Sequence, residues 1–312
     1  MSEHDDVRIG ITISGWPFPD DNPLALSRFA LLLEELGIDS LWFTDRVVSN
    51  SFSLEPIVAM SYVAAVTSQL KFGTSVLALP LRNPVIIAKE IATIDYLSGG
   101  RCLPAFGLGS ANHSEYEACG ISKKDRVGRT KEMVEILRLL WSGDYVSYQG
   151  KYFEFSDITV LPKPVQASAL PIWFGGRSIP ALRRVAQFGD GWLTSQSTPD
   201  EVNKGIETIK KMAQKYGNPI EADHYGVLFN YCFADTFEEG KNLATPFLGI
   251  QRASVPLQEI GAFGPPKRLF NLIDGYIKAG ASKFTLRPVC PPEMTEYQVK
   301  RLAKEVLPIY HG

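Results

Sequence analysis

Three observations predict a (β/α)8 barrel, a closed α/β fold. Short apolar runs rich in β-branched residues alternate with longer segments of helical spacing. Alternation of strand and helix implies a parallel sheet, and eight such units imply closure. No change of composition marks a linker, so residues 1–312 are expected to form one domain with insertion segments. A chain of this length exceeds the usual single core, but a closed sheet organises an unusually large one.

The elements follow in order. Val7 to Ile13 is the first strand, and Leu24 to Leu36 repeats leucine at helical intervals before a stop at Gly37. Ser40–Thr44 is the second strand and ends on Asp45-Arg46. Pro56 to Thr67 reads as a helix and Leu70 to Leu79 as a strand of small and β-branched residues. Val85–Leu97 is helical and closes on Ser98-Gly99-Gly100, a C-cap signature. Cys102–Leu108 is the fourth strand, followed by an amphipathic helix over Arg129–Trp141.

The rhythm then breaks. Tyr148-Gln149-Gly150-Lys151-Tyr152-Phe153 reads as an inserted β-hairpin with glycine at its turn. It resumes at Pro171–Phe174 (strand), Ile179–Phe188 (helix), Gly191–Ser195 (strand), Glu201–Tyr216 (helix) and Val227–Ala234 (strand). Residues 235–266 read as a lid or insertion loop ending in Gly264-Pro265-Pro266. Lys267–Ala279, Lys283–Pro288 and Glu296–Val306 complete the pattern as helix, strand and helix. An open doubly wound sheet would want a glycine-rich first turn, and Ser14-Gly15-Trp16-Pro17 does not supply one.

Composition excludes several classes of function. Net charge is −2 and the longest basic runs are Lys123-Lys124 and Arg183-Arg184, so no electrostatic footprint for nucleic acid exists. No apolar run approaches the roughly 20 residues that span a bilayer, and the acidic start is no secretory signal. A cytoplasmic enzyme is the simplest reading. The four cysteines, Cys102, Cys119, Cys232 and Cys290, stand far apart and the histidines are scattered, which argues against a zinc cluster or a disulfide framework. No metal is expected.

In a barrel, chemistry gathers at the C-terminal strand ends. Here these are Ser14–Trp16, Thr44–Arg46, Thr74–Leu79, Gly107–His113, Gly175–Ser178 and Arg287. Gly175-Gly176-Arg177-Ser178, running into a helix, can turn backbone N–H groups toward an anion, with the helix dipole and Arg177 adding to the attraction. A steric need for glycine in a tight turn is the lesser alternative for the pair. Gly107-Leu108-Gly109-Ser110 lacks the further glycine and lysine of a nucleotide loop. It fits either a tight turn or close backbone approach to a flat ligand. Asp45 and Arg46 serve as a structural ion pair or as contacts to a cofactor or substrate, and spacing leaves both open. Asn112 and His113 stand where a proton donor or a cofactor-binding amide is useful, although a solvated loop histidine is the more frequent outcome. Trp16, Phe18 and Trp42 are core candidates, with Trp16 and Phe18 also able to wall a pocket.

Longer motifs resemble a known family. Phe72-Gly73-Thr74-Ser75-Val76-Leu77, then Pro80-Leu81-Arg82-Asn83-Pro84, Ala88-Lys89 and Leu97-Ser98-Gly99-Gly100-Arg101 resemble the luciferase-like flavin-dependent oxidoreductases. So do Phe174-Gly175-Gly176-Arg177-Ser178 through Phe188-Gly189-Asp190-Gly191-Trp192, and Glu115-Tyr116 with Cys119-Gly120, Arg129 and Leu139-Leu140-Trp141-Ser142-Gly143. The resemblance covers nearly the whole chain and is weakest between 235 and 266.

The resemblance implies a (β/α)8 barrel holding reduced FMN or the deazaflavin coenzyme F-420. It places a cis peptide at Ser75–Val76, with Thr74, Ser75, Val76, Gly107 and Gly109 around the flavin ring. Gly175, Gly176 and Arg177 would hold the phosphate, and Asp45 would contact the cofactor. Two departures stand out. Arg46 follows Asp45 where deazaflavin relatives often keep a histidine. Ser110-Ala111-Asn112 occupies the place of their glutamate, with no acid until Glu115.

The implied function is a monooxygenase taking reduced FMN from a separate flavin reductase and acting on a small organic substrate. A deazaflavin-dependent hydride-transfer enzyme is the alternative, and a barrel without flavin the third. The resemblance also implies a homodimer.

Overall fold

The computed structural model describes residues 7–110, 113–166 and 170–310. Its strands are β1 (Arg8–Ile13), β2 (Ser40–Phe43), β3 (Lys71–Thr74), β4 (Leu77–Ala78), β5 (Cys102–Leu103), β6 (Ala105–Gly107), β7 (Val146–Gln149), β8 (Glu154–Ile158), β9 (Trp173–Gly175), β10 (Gly191–Ser195), β11 (Tyr225–Phe233), β12 (Gly261–Gly264) and β13 (Lys283–Pro288). The longer helices are α1 (Leu24–Glu35), α2 (Pro56–Val66), α3 (Pro84–Ser98), α5 (Arg126–Ser142), α6 (Ile179–Phe188), α7 (Pro199–Tyr216), α9 (Pro266–Lys278) and α10 (Thr295–Glu305). Shorter ones are α4 (His113–Ala118), α8 (Phe237–Ala244) and α11 (Leu307–Tyr310).

The ring closes. Its parallel order runs β4-β6-β9-β10-β11-β13-β1-β2-β3-β5. β3 with β4 forms the third stave, and β5 with β6 the fourth. Phe72 pairs with Cys102 and Leu77 with Phe106, so the two ends of that order meet. Both staves break at the same height, where Thr74 Oγ1 donates to Ala105 O at 2.7 Å and accepts from Ala105 N at 3.0 Å. The hydroxyl there replaces ladder bonds that the break removes.

Inside the ring, Trp42 and Trp173 pack with Ala105 and Leu193 beneath the rim. Their bulk leaves no room on the flanking strands. A Cβ on Gly191 would lie 2.4 Å from Trp173 Cδ2, so only glycine fits.

The predicted helices and hairpin form, with β7 and β8 pairing antiparallel beside the barrel. Local capping explains several boundaries. Asn83 accepts from Val85 N and Ile86 N ahead of Pro84, and Gly99 ends α3 at φ 69°. Thr198 and Glu201 form a reciprocal capping box, which starts α7 two residues earlier than the hydrophobic pattern implies. The segment 235–266 is more ordered than expected of a loop. It contains α8, capped by Thr236, and β12, which pairs with the last residues of β11.

Glu34 on α1 pins the turn before β3. It accepts from Ser68 N at 2.8 Å, from Gln69 N and from Leu70 N at 3.0 Å. Burial works to raise its pKa, but the backbone donors outweigh it and hold the carboxyl below its ordinary value. The pin therefore contributes stability above the normal carboxylate range and loses it as pH falls through the lowered value. Glu34→Gln is expected to flatten the acid limb of the unfolding midpoint between about pH 5 and pH 3. Urea titrations across that range measure it.

Candidate active site

A two-lobed cleft opens at the C-terminal mouth of the ring. One lobe, about 780 Å³, lies over β1, β11 and β13 under residues 246–251. The other, about 1000 Å³, lies between the end of β6 and the start of α6. Thr44, Arg46, Ser75, Val76, Gly175 and Gly176 line both and form the ridge between them.

Val76 makes that ridge. The Ser75–Val76 peptide is cis, as the resemblance implies. The valine points into the mouth between two glycines. A Cβ on Gly107 would lie 2.6 Å from Val76 Cγ2, and one on Gly175 would lie 3.1 Å from Val76 Cγ1. Glycine on the fourth and fifth staves thus admits the valine on the third. Ser75 Oγ is buried at the same ridge and has no hydrogen-bond partner. A buried hydroxyl left open is an unmet cost unless a ligand meets it. Thr74 differs from expectation. Its hydroxyl is consumed by Ala105, and it lies outside the lining of either lobe.

The Gly175–Ser178 turn borders the larger lobe. Gly176 adopts φ 102°, where a Cβ would meet Ala181 Cβ at 2.9 Å. Ser178 caps α6 through Ala181 N, and the first N–H groups of a helix have no partner within it. Arg177 reaches toward Ser195 O at 3.4 Å, and burial followed by Arg252 lowers its pKa. Arg184, one turn into α6, enters the same lobe with its Nε buried and unbonded. The residues fit an anionic group such as a flavin phosphate, and the open Ser75 hydroxyl would suit a polar edge of a bound ligand.

Asp45 and Glu115 are the carboxylates of this lobe, and both are occupied. The Asp45 side chain is 1% exposed. It accepts from Arg82 at 2.7 and 3.0 Å and from Ala78 N at 2.8 Å. Its ion-pair partner is thus Arg82, not the neighbouring Arg46. Burial works to lower the Arg82 pKa, but bonds to Asp45 and Glu55 outweigh it and hold the guanidinium above its ordinary value. Glu115 accepts from Val47 N at 3.0 Å and from Ser110 Oγ at 2.9 Å. It ties the turn after β2 to α4.

Sequence reasoning missed Glu115 at the site because α4 was unread; the helix brings position 115 back beside Ser110. Arg82 stands in a family motif, but nothing in the sequence pairs it with Asp45, 37 residues away. Gly109 lines the larger lobe as expected. Asn112 lies outside the described residues. His113 opens α4, but its side chain is likewise outside what is described.

The smaller lobe has an aromatic wall and a roof. Trp16 packs against Phe52 with ring centroids 5.1 Å apart and planes tilted by 59°, and donates to Asp20 O at 2.6 Å. Phe18 turns inward to the core. The roof is latched at two points. Gln196 Nε2 donates to Ile250 O at 3.0 Å, and Arg252 grips Glu201 at 2.7 and 2.8 Å. No cysteine is among the described residues that line either lobe. Burial pushes the Cys232 and Cys290 thiols up to about 12 and about 11, so both are protonated at neutral pH.

The structure is thus a closed parallel barrel with a glycine-lined mouth, a Gly-Gly turn running into a helix at its fifth stave and a non-proline cis peptide at its third. The family model for luciferase-like monooxygenases matches residues 10–283, and the chain belongs to that family.

The chain is 34% identical over 171 residues to an uncharacterized protein of Mycobacterium tuberculosis, a match covering 54% of this chain and 58% of the relative. The chain thus spans little more than half the length of that relative. It is 26% identical over 250 residues to 5,10-methylenetetrahydromethanopterin reductase of Methanopyrus kandleri, covering 76% and 68%. It is 32% identical over 177 residues to F420-dependent glucose-6-phosphate dehydrogenase of Kineococcus radiotolerans, covering 55% and 52%. A monooxygenase from Streptomyces bottropensis shares the fold with a TM-score of 0.83 at 20% identity, covering 97% of this chain and 99% of the other.

No helix among the described residues is long and apolar enough to cross a membrane.

Proposed function

We propose that this chain is a monooxygenase using reduced FMN, supplied by a separate flavin reductase, on a small organic substrate. One observation carries the reading. The smaller lobe, beside the Val76 ridge, is lined among the described residues by no carboxylate and no histidine. None of the described residues there is a carboxylic acid or imidazole placed to give a proton for hydride transfer to a substrate carbonyl. Oxygen chemistry asks the protein chiefly to position the ring and exclude water.

The roles follow from position. The Gly175–Ser178 turn holds the phosphate, with Arg177 and Arg184 nearby. Val76 supports the ring between Gly107 and Gly175, and Ser75 Oγ donates to the ring's polar edge. The latched roof over residues 246–251 keeps water from the smaller lobe. When bound, reduced FMN supplies the electrons that activate dioxygen. Asn112 and His113 follow the fourth stave, a place from which a proton donor can serve. The chain works in this reading as a single barrel domain, a cytoplasmic homodimer. Exposed Val58 on α2 and Ile86 and Leu97 on α3 support an apolar contact between copies.

A second reading has a specific support. Two sequence relatives carry reductase or F420-dependent dehydrogenase names, which favours coenzyme F-420 and hydride transfer. Parallel fluorescence titrations of the apo-protein with reduced FMN and with the deazaflavin separate the two. Micromolar or tighter binding of reduced FMN, with weak deazaflavin binding, is expected. The reverse order transfers the function to hydride chemistry and leaves the barrel unchanged.

A further inference from the structure

Three polar side chains meet on the floor of the smaller lobe. Asn230 on β11 and Arg287 on β13 are register partners. Ile11 pairs with Leu286, which sets Thr12 on β1 at the level of Arg287. Register partners face the same side of a sheet, so all three point into the barrel mouth, and each lines the lobe.

Their bonding is incomplete. Thr12 Oγ1 is buried without a partner. The Asn230 side chain makes no hydrogen bond among the described residues. Arg287 donates only to Phe247 O, at 3.2 Å, and faces no carboxylate among them. Burial alone lowers its pKa, with no acid offsetting it. Arg46 at the rim adds a second guanidinium without an ion-pair partner among the described residues. A partly buried cation beside two open donors is costly unless an anion completes it.

We infer that Thr12, Asn230 and Arg287 form an oxyanion-binding floor that takes the acid group of an aromatic substrate. Trp16, Phe52 and Phe247 supply the apolar wall for the rest of the molecule. The shared chemistry is a carboxylate, sulfonate or phosphate on a ring. This assignment rests on the reading of the smaller lobe as the substrate chamber.

The test is calorimetric titration of the apo-protein with benzoate, benzenesulfonate and phenyl phosphate against neutral benzamide. At least one acid is expected to bind about tenfold or more tightly than benzamide, since charge-assisted bonds exceed neutral ones by that order. The preferred acid identifies the headgroup. Arg287→Gln is expected to erase the preference, and Arg287→Lys to retain part of it. Asn230→Asp, which sets a carboxylate of the same size beside the arginine, erases it without removing the cation. Equal binding of acids and amide overturns the inference, as does a preference that survives both Arg287→Gln and Asn230→Asp. Reduced FMN and the deazaflavin are titrated into the same proteins. Loss of cofactor affinity in Arg287→Gln also overturns it, by assigning the arginine to the cofactor. If wild type binds neither cofactor, the proposed function fails, while the acid preference is still read on the apo-protein.

Discussion

Asp45→Ala is expected to cost about 3–5 kcal/mol of folding stability, the range for breaking a buried ion pair by removing one partner. The carboxylate accepts three bonds, two from Arg82 and one from Ala78 N, with its side chain almost wholly buried. Removal leaves Arg82 in a part-buried site with only the more exposed Glu55. It also frees the β4 backbone next to the Val76 ridge. Against a total stability of about 5–15 kcal/mol, that loss is large. Asp45→Asn keeps the size and one acceptor, so its cost is expected to be smaller. Urea unfolding of both variants beside cofactor titrations decides between the two roles the sequence leaves open. A variant of undiminished stability that no longer binds flavin would make Asp45 a cofactor contact instead.

Gly107→Ala is expected to act on binding more than on folding. The added methyl would lie 2.6 Å from Val76 Cγ2, far inside contact distance. Overpacking of this kind costs about 1–3 kcal/mol in a closed core. Val76, however, borders an open cleft and can swing into it. The apo-protein relieves the clash that way and loses little stability. A flavin above the ridge then has to push the valine back, and affinity falls roughly 5- to 150-fold, the same energy expressed as a ratio. Adding Val76→Ala to Gly107→Ala is expected to recover much of the loss, a coupling that a double-mutant cycle measures. Equal, additive losses from the two changes would mean that the valine and glycine do not share the cofactor's seat.

The staves and most of their helices were legible because each depends on local pattern. β-Branched runs such as Val7 to Ile13 and leucine spacing such as Leu24 to Leu36 carry their own periodicity. Rim elements do not. α4, α8 and β12 are short, and their shape is decided by contacts with other segments, as when Glu115 bonds Val47 N. The glycines of the site were legible through motif, and the Ser75–Val76 bond through resemblance. Their physical partnership was not, because Val76, Gly107 and Gly175 meet only once the ring has closed. Thr74 shows the same limit in reverse. It stands in the right motif but spends its hydroxyl on the neighbouring stave. Arg287 was visible as a strand-end residue, whereas the want of an acid opposite it is a property of three dimensions.

Glu201 serves two structures with one carboxylate. It caps the first turn of α7 through Thr198 N and grips Arg252 of the roof. The bond to Arg252 leads the causes that hold its pKa below the ordinary value. Doorway and doorpost therefore share a single nail. Because the pair is only partly buried, dissolved ions reach it and weaken its grip. Rising ionic strength is therefore expected to loosen the roof of the smaller lobe without any change in the groups that line it.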